Sequence, residues 1–211
     1  MKQKYALHFT NKKFLFSLFF SILLLIGSLF LNFYASMYAT ERASNAVTDI
    51  ILSNIRVYDV DLIFVFGPLV MWAFVAILCV IEPKRTPFIL KNIAIFVIIR
   101  SIFISLTHIG PFPIEAITTG SQFIGKFTFG GDLFFSAHTG LPFLMALIFW
   151  QDKYLRWIFT ISSVLFGIVV LLGHYHYSID VLSAFFITYT IFQISSYIFK
   201  KDKNIFSNTT N

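Results

Sequence analysis

The chain reads Gly-Gly-Asp-Leu-Phe-Phe-Ser-Ala-His-Thr at positions 130–139 and His-Tyr-His-Tyr-Ser-Ile-Asp-Val at positions 174–181. Both stretches are polar islands beside long apolar runs, and together they hold three of the five histidines of the chain. Ionisable side chains are costly to keep near lipid, so islands of this kind indicate a functional site.

The composition around these islands predicts an integral membrane protein. Apolar residues make up 57% of the 211 positions and charged residues only 12%. A soluble domain of this length needs a more charged surface. The net charge of +6 is explained by basic loops that face anionic lipid, so it requires no nucleic-acid partner.

Six apolar runs approach the length of about 20 helical residues that crosses a bilayer. None alternates strictly between polar and apolar residues as an outer-membrane strand does. The sequence therefore predicts an all-α membrane protein, a six-transmembrane-helix bundle. The predicted spans are 14–34, 62–81, 88–106, 134–150, 157–173 and 181–199, between tails at 1–13 and 200–211.

Basic residues predict the orientation of this bundle. If the amino terminus is cytoplasmic, most of them fall inside, as the positive-inside rule requires. Both polar islands and the predicted active site then face the extracytoplasmic side, and both termini are cytoplasmic. The compact chain suggests a bacterial cytoplasmic membrane. The inside set is Lys2, Lys4, Lys12, Lys13, Lys84, Arg85, Lys91, Lys153, Arg156, Lys200, Lys201 and Lys203; Arg42, Arg56 and Lys126 fall outside.

The chemistry of the islands rests on two imidazoles and one carboxylate. His176 and Asp180 are four residues apart, which places their side chains on one face if the sixth helix begins near Ser178 or earlier. An aspartate that accepts the Nδ1–H of a histidine leaves Nε2 as a nucleophile or base. His138 then supplies a complementary acid. The alternative is that these histidines are polar caps at the membrane interface.

The two islands resemble the signature motifs of the sphingomyelin synthase-related family, which read approximately C-G-D-x-x-F-S-G-H-T and H-x-H-Y-T-x-D-V. This family is a branch of the type 2 phosphatidic acid phosphatase superfamily. The resemblance implies a six-helix bundle of the lipid phosphatase/phosphotransferase type with an exoplasmic or lumenal site. Segments 47–52 and 99–107 loosely resemble two upstream motifs of the family.

Carried over to this chain, the resemblance implies that His176 forms a phosphohistidine intermediate and that Asp180 orients it. His138 protonates the leaving alcohol and then activates the acceptor hydroxyl. The substrates implied are a membrane phospholipid donor and a lipid alcohol acceptor, or water if the protein is a lipid phosphate phosphatase. A non-catalytic lipid-binding protein on the same scaffold is a further alternative.

The chain departs from the family patterns in five respects. It has no Lys-x6-Arg-Pro element, and Val170 stands where the phosphatases carry an arginine, which fits the synthase-like branch better. Ala137 replaces the usual glycine, and Gly130 stands where the synthases have cysteine. The loop 109–131 is shorter than in the animal enzymes, so the substrate is expected to differ.

Five more residues are candidates for substrate binding. Arg100, inside the third span, is a phosphate clamp or the partner of an acidic group such as Asp132, and the alternative is that it snorkels outward with a structural carboxylate. Asp132 is a candidate to contact a cationic head group or to form a hydrogen bond with a catalytic histidine, and the alternative is that it caps its own loop. Ser136, Thr139 and the amides that open the fourth helix are suited to phosphate, and His174 matches the family motif.

Two kinds of cofactor are not expected. Metal ligation by His174, His176 and Asp180 is possible on residue type, but a divalent site usually has more closely converging ligands. We therefore predict no metal. No glycine-rich nucleotide loop is present, so soluble nucleotide donors are not expected either.

Overall fold

The computed structural model describes residues 10–113 and 132–207, and these residues form an all-helical bundle. Five of the described helices are long and apolar enough to cross a membrane. The count of six spans remains a prediction. The helices are α1 (Lys12–Glu41), α2 (Asp61–Ile81), α3 (Thr86–Leu106), α4 (Ala137–Ile148), α5 (Lys153–Leu172), α6 (Ser178–Ile198) and α7 (Lys200–Ser207), with a 3₁₀ turn at Pro83–Arg85 before α3.

Helix α3 lies at the centre of the bundle. It packs against α1, α4 and α6, and α4 packs in turn against α5 and α6. Small residues of α1 face α3: Ser21, Ser28 and Ala35 are buried and recur every seven residues along one side of the helix. Small side chains of this kind let helix backbones approach closely. The outer faces carry exposed large apolar side chains, as lipid-facing surfaces do.

The fourth predicted span is wrong in its length. Helix α4 has 12 residues, which cover about 18 Å of a hydrocarbon core of about 30 Å. The helix begins only after Ser136, whose side chain accepts the backbone N–H of Thr139. It ends before a turn in which Asp152 caps α5. The apolar run 134–150 therefore includes non-helical residues at both ends.

Side-chain contacts fix the register of α4 against its neighbours. The hydroxyl of Ser163 on α5 donates to the carbonyl of Thr139 over 2.7 Å. Gly140 lies so close to α3 and α6 that an added Cβ would stand 2.8 Å from the ring of Phe96 and 2.8 Å from the hydroxyl of Thr188. The start of α4 is thus level with the middle of α5.

The segments outside the predicted spans also differ from the prediction. The first helix is longer than 14–34, because it continues through the first part of the connection that precedes α2. The predicted tail 200–211 contains α7, which packs on α3 and α6. There Asp202 accepts hydrogen bonds from Lys91 over 2.7 Å and from Ser17 over 2.6 Å. Residues 1–9, 114–131 and 208–211 lie outside the described residues, and with them Lys126, Gly130, Gly131 and most of the loop 109–131.

Candidate active site

His176 and Asp180 face each other where the α5–α6 loop enters α6. The Nδ1 atom of His176 lies 3.5 Å from Oδ2 of Asp180. His176 is 7% exposed and Asp180 is fully buried. The same carboxylate oxygen accepts the backbone N–H of Tyr177 over 3.0 Å, which fixes its orientation. The contact expected from the four-residue spacing is present, and it turns Nδ1, rather than Nε2, toward the carboxylate.

His138 lies in the first turn of α4, at the same end of the bundle. The backbone N–H of Ser136 donates to the carbonyl of Asp180 over 3.1 Å, so the segments that lead into α4 and α6 adjoin directly. His138 and His176 are close enough for their imidazoles to interact electrostatically. The structure therefore brings together the three side chains for which the sequence predicts a common site.

Helix α2 supplies the immediate surroundings of His138. Nε2 of His138 lies 3.2 Å from the carbonyl oxygen of Phe64. The ring of Phe64 stacks on the imidazole with 4.3 Å between centroids and 15° between planes. Phe64 also contacts the ring of Tyr175, whose hydroxyl donates to the carboxylate of Asp61. The first turns of α2 thus touch both histidine-bearing segments.

An apolar cavity of about 150 Å³ adjoins His138 between α2, α4 and α5. His138 is the ionisable residue of its lining. The other lining residues are Pro68, Met71, Trp72, Ala137, Leu141, Pro142 and Phe166. A space of this character suits hydrocarbon better than a soluble, charged substrate.

Arg100 holds the backbone that leads into α4. Its Nη2 donates to the carbonyl of Asp132 over 2.6 Å, and its Nε donates to the carbonyl of Phe135 over 3.0 Å. Its Nη1 lies 3.3 Å from Oδ2 of Asp132, which also accepts the hydroxyl of Ser36. Of the two roles considered for Arg100, the geometry provides the carboxylate partner. A direct contact with phosphate remains a prediction.

Ser136, Thr139 and His174 have local partners in the structure. Ser136 and Thr139 are fully buried, and their hydroxyl oxygens lie 3.4 Å apart in the cap of α4. His174 is 3% exposed and has a φ of 57°, which is uncommon for a residue other than glycine. Its ring lies edge-on to Phe112 with 5.3 Å between centroids. Phosphate binding by these three residues stays a prediction. In residues 10–113 and 132–207, no group of three or more His, Cys, Asp or Glu side chains is placed to hold a metal ion.

Asp49 is a site-organising residue that the sequence analysis did not single out. Its Oδ2 accepts the backbone N–H and the hydroxyl of Ser178 over 2.7 and 2.8 Å, at the start of α6. Its Oδ1 accepts the backbone N–H groups of Ile51 and Leu52. Burial raises the pKa of this carboxyl, but the hydrogen bonds from Leu52, Ser178 and Ile51 outweigh burial and hold the pKa below its usual value. The available signal was a lone acid in the apolar segment 47–52.

Tyr177 makes a second attachment between the same segments. Its side chain is 2% exposed, and its hydroxyl donates to the carbonyl of Gly110 over 2.8 Å. The hydroxyl also accepts the backbone N–H of Val47 over 3.2 Å. The residue between His176 and α6 is therefore held by the α1–α2 and α3–α4 connections together.

Comparison with known proteins gives a match to a family model. Residues 130–197 match the family model described as PAP2 superfamily C-terminal. The matched segment covers about a third of the chain and includes His138, His176 and Asp180. No curated protein and no solved structure matches the chain.

The match supports a class for this protein without covering the whole chain. It supports the type 2 phosphatidic acid phosphatase superfamily for this chain, and members of that superfamily are phosphatases or phosphotransferases. The protein is therefore an enzyme of the lipid phosphatase or phosphotransferase type, and its long apolar helices are those of an integral membrane protein.

Proposed function

We propose that this protein is a membrane-embedded lipid phosphotransferase that resembles sphingomyelin synthase. It moves a phospho-head group from a phospholipid to a lipid alcohol through a phosphohistidine intermediate. The observation that carries the proposal is the meeting of His176, Asp180 and His138 at one end of the bundle, although they are distant in sequence.

In the first step, Nε2 of His176 attacks the phosphorus of the donor lipid. The bond between phosphorus and the alcohol oxygen of the donor breaks, and His138 gives a proton to that oxygen. Asp180 stabilises the imidazolium character that develops on His176. The separation of 3.5 Å to Nδ1 exceeds an ordinary hydrogen bond. Contacts of this kind in an unliganded site often tighten when substrate binds.

In the second step, the acceptor hydroxyl attacks the phosphorus and the phosphorus–nitrogen bond breaks. The proton of that hydroxyl passes to His138, which restores the starting state. Most of the acceleration in phosphoryl transfer comes from positioning and from charge stabilisation. Arg100, which interacts electrostatically with His138, supplies fixed positive charge near the site.

The surroundings of His138 favour a lipid alcohol over water as the acceptor. The cavity beside the imidazole is lined almost entirely by apolar side chains. His176 and Asp180 are buried as well, so water has little access to the proposed nucleophile. Hydrolysis of a lipid phosphoester is the second candidate function, because the superfamily supported by the match includes phosphatases.

The proposal includes an orientation and a location. The charge pattern of the loops supports cytoplasmic termini and an extracytoplasmic site. The compactness of the chain is the basis for proposing a bacterial cytoplasmic membrane. The donor and the acceptor then both come from the membrane.

The test uses purified full-length protein in vesicles that contain a head-group-labelled phospholipid and a lipid alcohol such as diacylglycerol or ceramide. A labelled lipid product establishes transfer, whereas labelled water-soluble phosphate or phospho-head group alone establishes hydrolysis. His176→Ala is expected to abolish both products and to remain folded. His108→Ala is the matched control, because His108 lies at the end of α3 against the ring of Tyr38.

A phosphohistidine is stable in alkali and labile in acid, which gives a second readout. Phosphorus-labelled donor is expected to label the wild-type protein in alkali and to leave His176→Ala unlabelled. Turnover in His176→Ala equal to that of the wild type would remove His176 from the mechanism. Absence of turnover and of lipid labelling with every donor class tested would favour the non-catalytic lipid-binding alternative.

A further inference from the structure

Helix α2 contains a proline in its interior, at position 68. In an α-helix the N–H of a residue donates to the carbonyl four positions earlier. Proline has no N–H, so the carbonyl of Phe64 lacks this intrahelical donor. That carbonyl oxygen lies 3.2 Å from Nε2 of His138. The oxygen that Pro68 leaves without its helical donor is therefore the oxygen that faces the imidazole.

We infer that Pro68 is a positioning residue: it frees the Phe64 carbonyl to hold the Nε2–H of His138, so that Nδ1 of His138 transfers the proton. A carbonyl oxygen can only accept a hydrogen bond, so this contact requires the proton on Nε2. The inference rests on the proposed function for the role of His138. The preferred tautomer follows from the contact alone.

The proton balance of the reaction is consistent with this assignment. The His138 imidazolium carries a proton on each ring nitrogen, and Nδ1–H passes its proton to the alcohol oxygen as the bond from phosphorus to that oxygen breaks. The neutral ring keeps Nε2–H on the Phe64 carbonyl. When the acceptor hydroxyl attacks, its proton goes to Nδ1. The carbonyl thus orients His138 as Asp180 orients His176.

The contacts of Phe64 support a positioning role for this turn of α2. The ring of Phe64 lies on the face of the His138 imidazole while its carbonyl faces the edge of the same ring, so the plane and the rotation of the imidazole are both restrained. Phe64 also packs against the ring of Tyr175, so this turn of α2 contacts the segment that carries His176. A substitution that disturbs this turn of α2 is therefore expected to slow proton transfer by His138 and to leave substrate binding nearly unchanged.

The test is Pro68→Ala in the full-length protein, with Pro87→Ala as the matched control. The alanine restores a backbone N–H that competes with His138 for the Phe64 carbonyl, and it favours the helix, so folding is expected to persist. Pro87 lies in the first turn of α3, where no intrahelical donor is needed. Phe64→Leu removes the ring and keeps the carbonyl.

The first readout is the ¹⁵N spectrum of histidine-labelled protein without substrate, recorded at alkaline pH where the imidazoles are neutral, with the His138 signals assigned by loss in His138→Gln. The wild type is expected to show His138 as the Nε2–H tautomer. Pro68→Ala is expected to shift it toward a mixture, while Pro87→Ala and Phe64→Leu keep the wild-type tautomer. The second readout is the kinetics: kcat is expected to fall about tenfold in Pro68→Ala, with KM within about twofold of the wild type.

A neutral wild-type His138 that carries its one proton on Nδ1, or a Pro68→Ala spectrum identical to the wild type, would overturn the inference. A kcat for Pro68→Ala equal to that of the wild type would overturn it too. None of these outcomes contradicts the proposed function, because phosphohistidine formation on His176 is measured separately. Loss of the proposed function would instead appear as full turnover in His176→Ala, whatever the tautomer of His138.

Discussion

Replacement of Asp49 by asparagine tests how the start of α6 is held. The carboxylate accepts four hydrogen bonds, two from Ser178 and two from the backbone N–H groups of Ile51 and Leu52. An asparagine has one acceptor oxygen, so the bonds to one of the two carboxylate oxygens are lost. Hydrogen bonds to charged groups each contribute about 1.5–3 kcal/mol. Allowing for relaxation of the loop, we expect a loss of about 2 kcal/mol, or about 4–8 °C in Tm.

The effect has a defined dependence on pH. The pKa of Asp49 is lower in the folded protein than its ordinary value, which is about 3.9. The carboxylate therefore contributes its full stability above that ordinary value and loses it as the pH falls through the lower folded pKa. Wild type and Asp49→Asn should differ most near pH 7 and should converge as the pH falls below about 4.

The assay is thermal unfolding of detergent-solubilised protein between pH 7 and pH 3, followed by tryptophan fluorescence. Asp59→Asn is the control, because Asp59 is an exposed acid in the same α1–α2 connection; its Tm should stay within about 2 °C of the wild type. A Tm for Asp49→Asn equal to that of the wild type at pH 7, or a constant gap down to pH 3, would refute the reasoning.

Substitutions at three further positions test the packing and the buried charges. Arg100→Met removes the ion-pair partner of Asp132 and the donors to the carbonyls of Asp132 and Phe135, and it should cost about 3 kcal/mol. Arg100→Lys should recover only part of the lost Tm, and full recovery would contradict a need for the guanidinium fork. Gly140→Ala places a methyl group against α3 and α6 and should cost about 1–3 kcal/mol, read from Tm; an unchanged Tm would show that α4 packs loosely on these helices. Asp202→Ala removes the ion-pair partner of the buried Lys91 ammonium, which keeps its hydrogen bond to Ser17, with an expected cost of about 3 kcal/mol. The effect of Asp202→Ala is measured as faster protease cleavage of α7. A cleavage rate equal to that of the wild type would mean that other contacts hold α7.

The long helices were predictable because hydropathy reports directly on lipid exposure. The run 62–81 appears as a helix at Asp61–Ile81, within one residue of the prediction. The boundaries of α4 were not predictable in the same way. Residues 134–150 are as apolar as a true span, but the helix starts at the Ser136 cap and stops before the turn that Asp152 ends. Hydropathy averages over such caps, so it cannot place the ends of the helix.

The central part of the site was predictable where it depends on local spacing. His176 and Asp180 are four residues apart at a helix start, and this spacing alone brings them together. The contacts of Asp49 with Ser178, and of Phe64 with His138, join residues that are far apart in the chain. No repeating pattern in the sequence indicates which of these distant residues will be in contact. A lone acid in an apolar segment and a lone proline in an apolar helix were the available signals, and neither specifies a partner.

The register of α4 against α5 determines how deep the chemistry takes place. Thr139 meets Ser163, which lies nine residues before the last residue of α5, a rise of about 14 Å. If α5 reaches the membrane surface at its carboxyl end, His138 lies well below that surface rather than at the water boundary. A substrate phosphate must then descend below the level of the neighbouring head groups, and its glycerol or sphingoid backbone must sink with it. The depth of the site would thereby favour amphiphiles already dissolved in the bilayer over phosphate esters that arrive from the water.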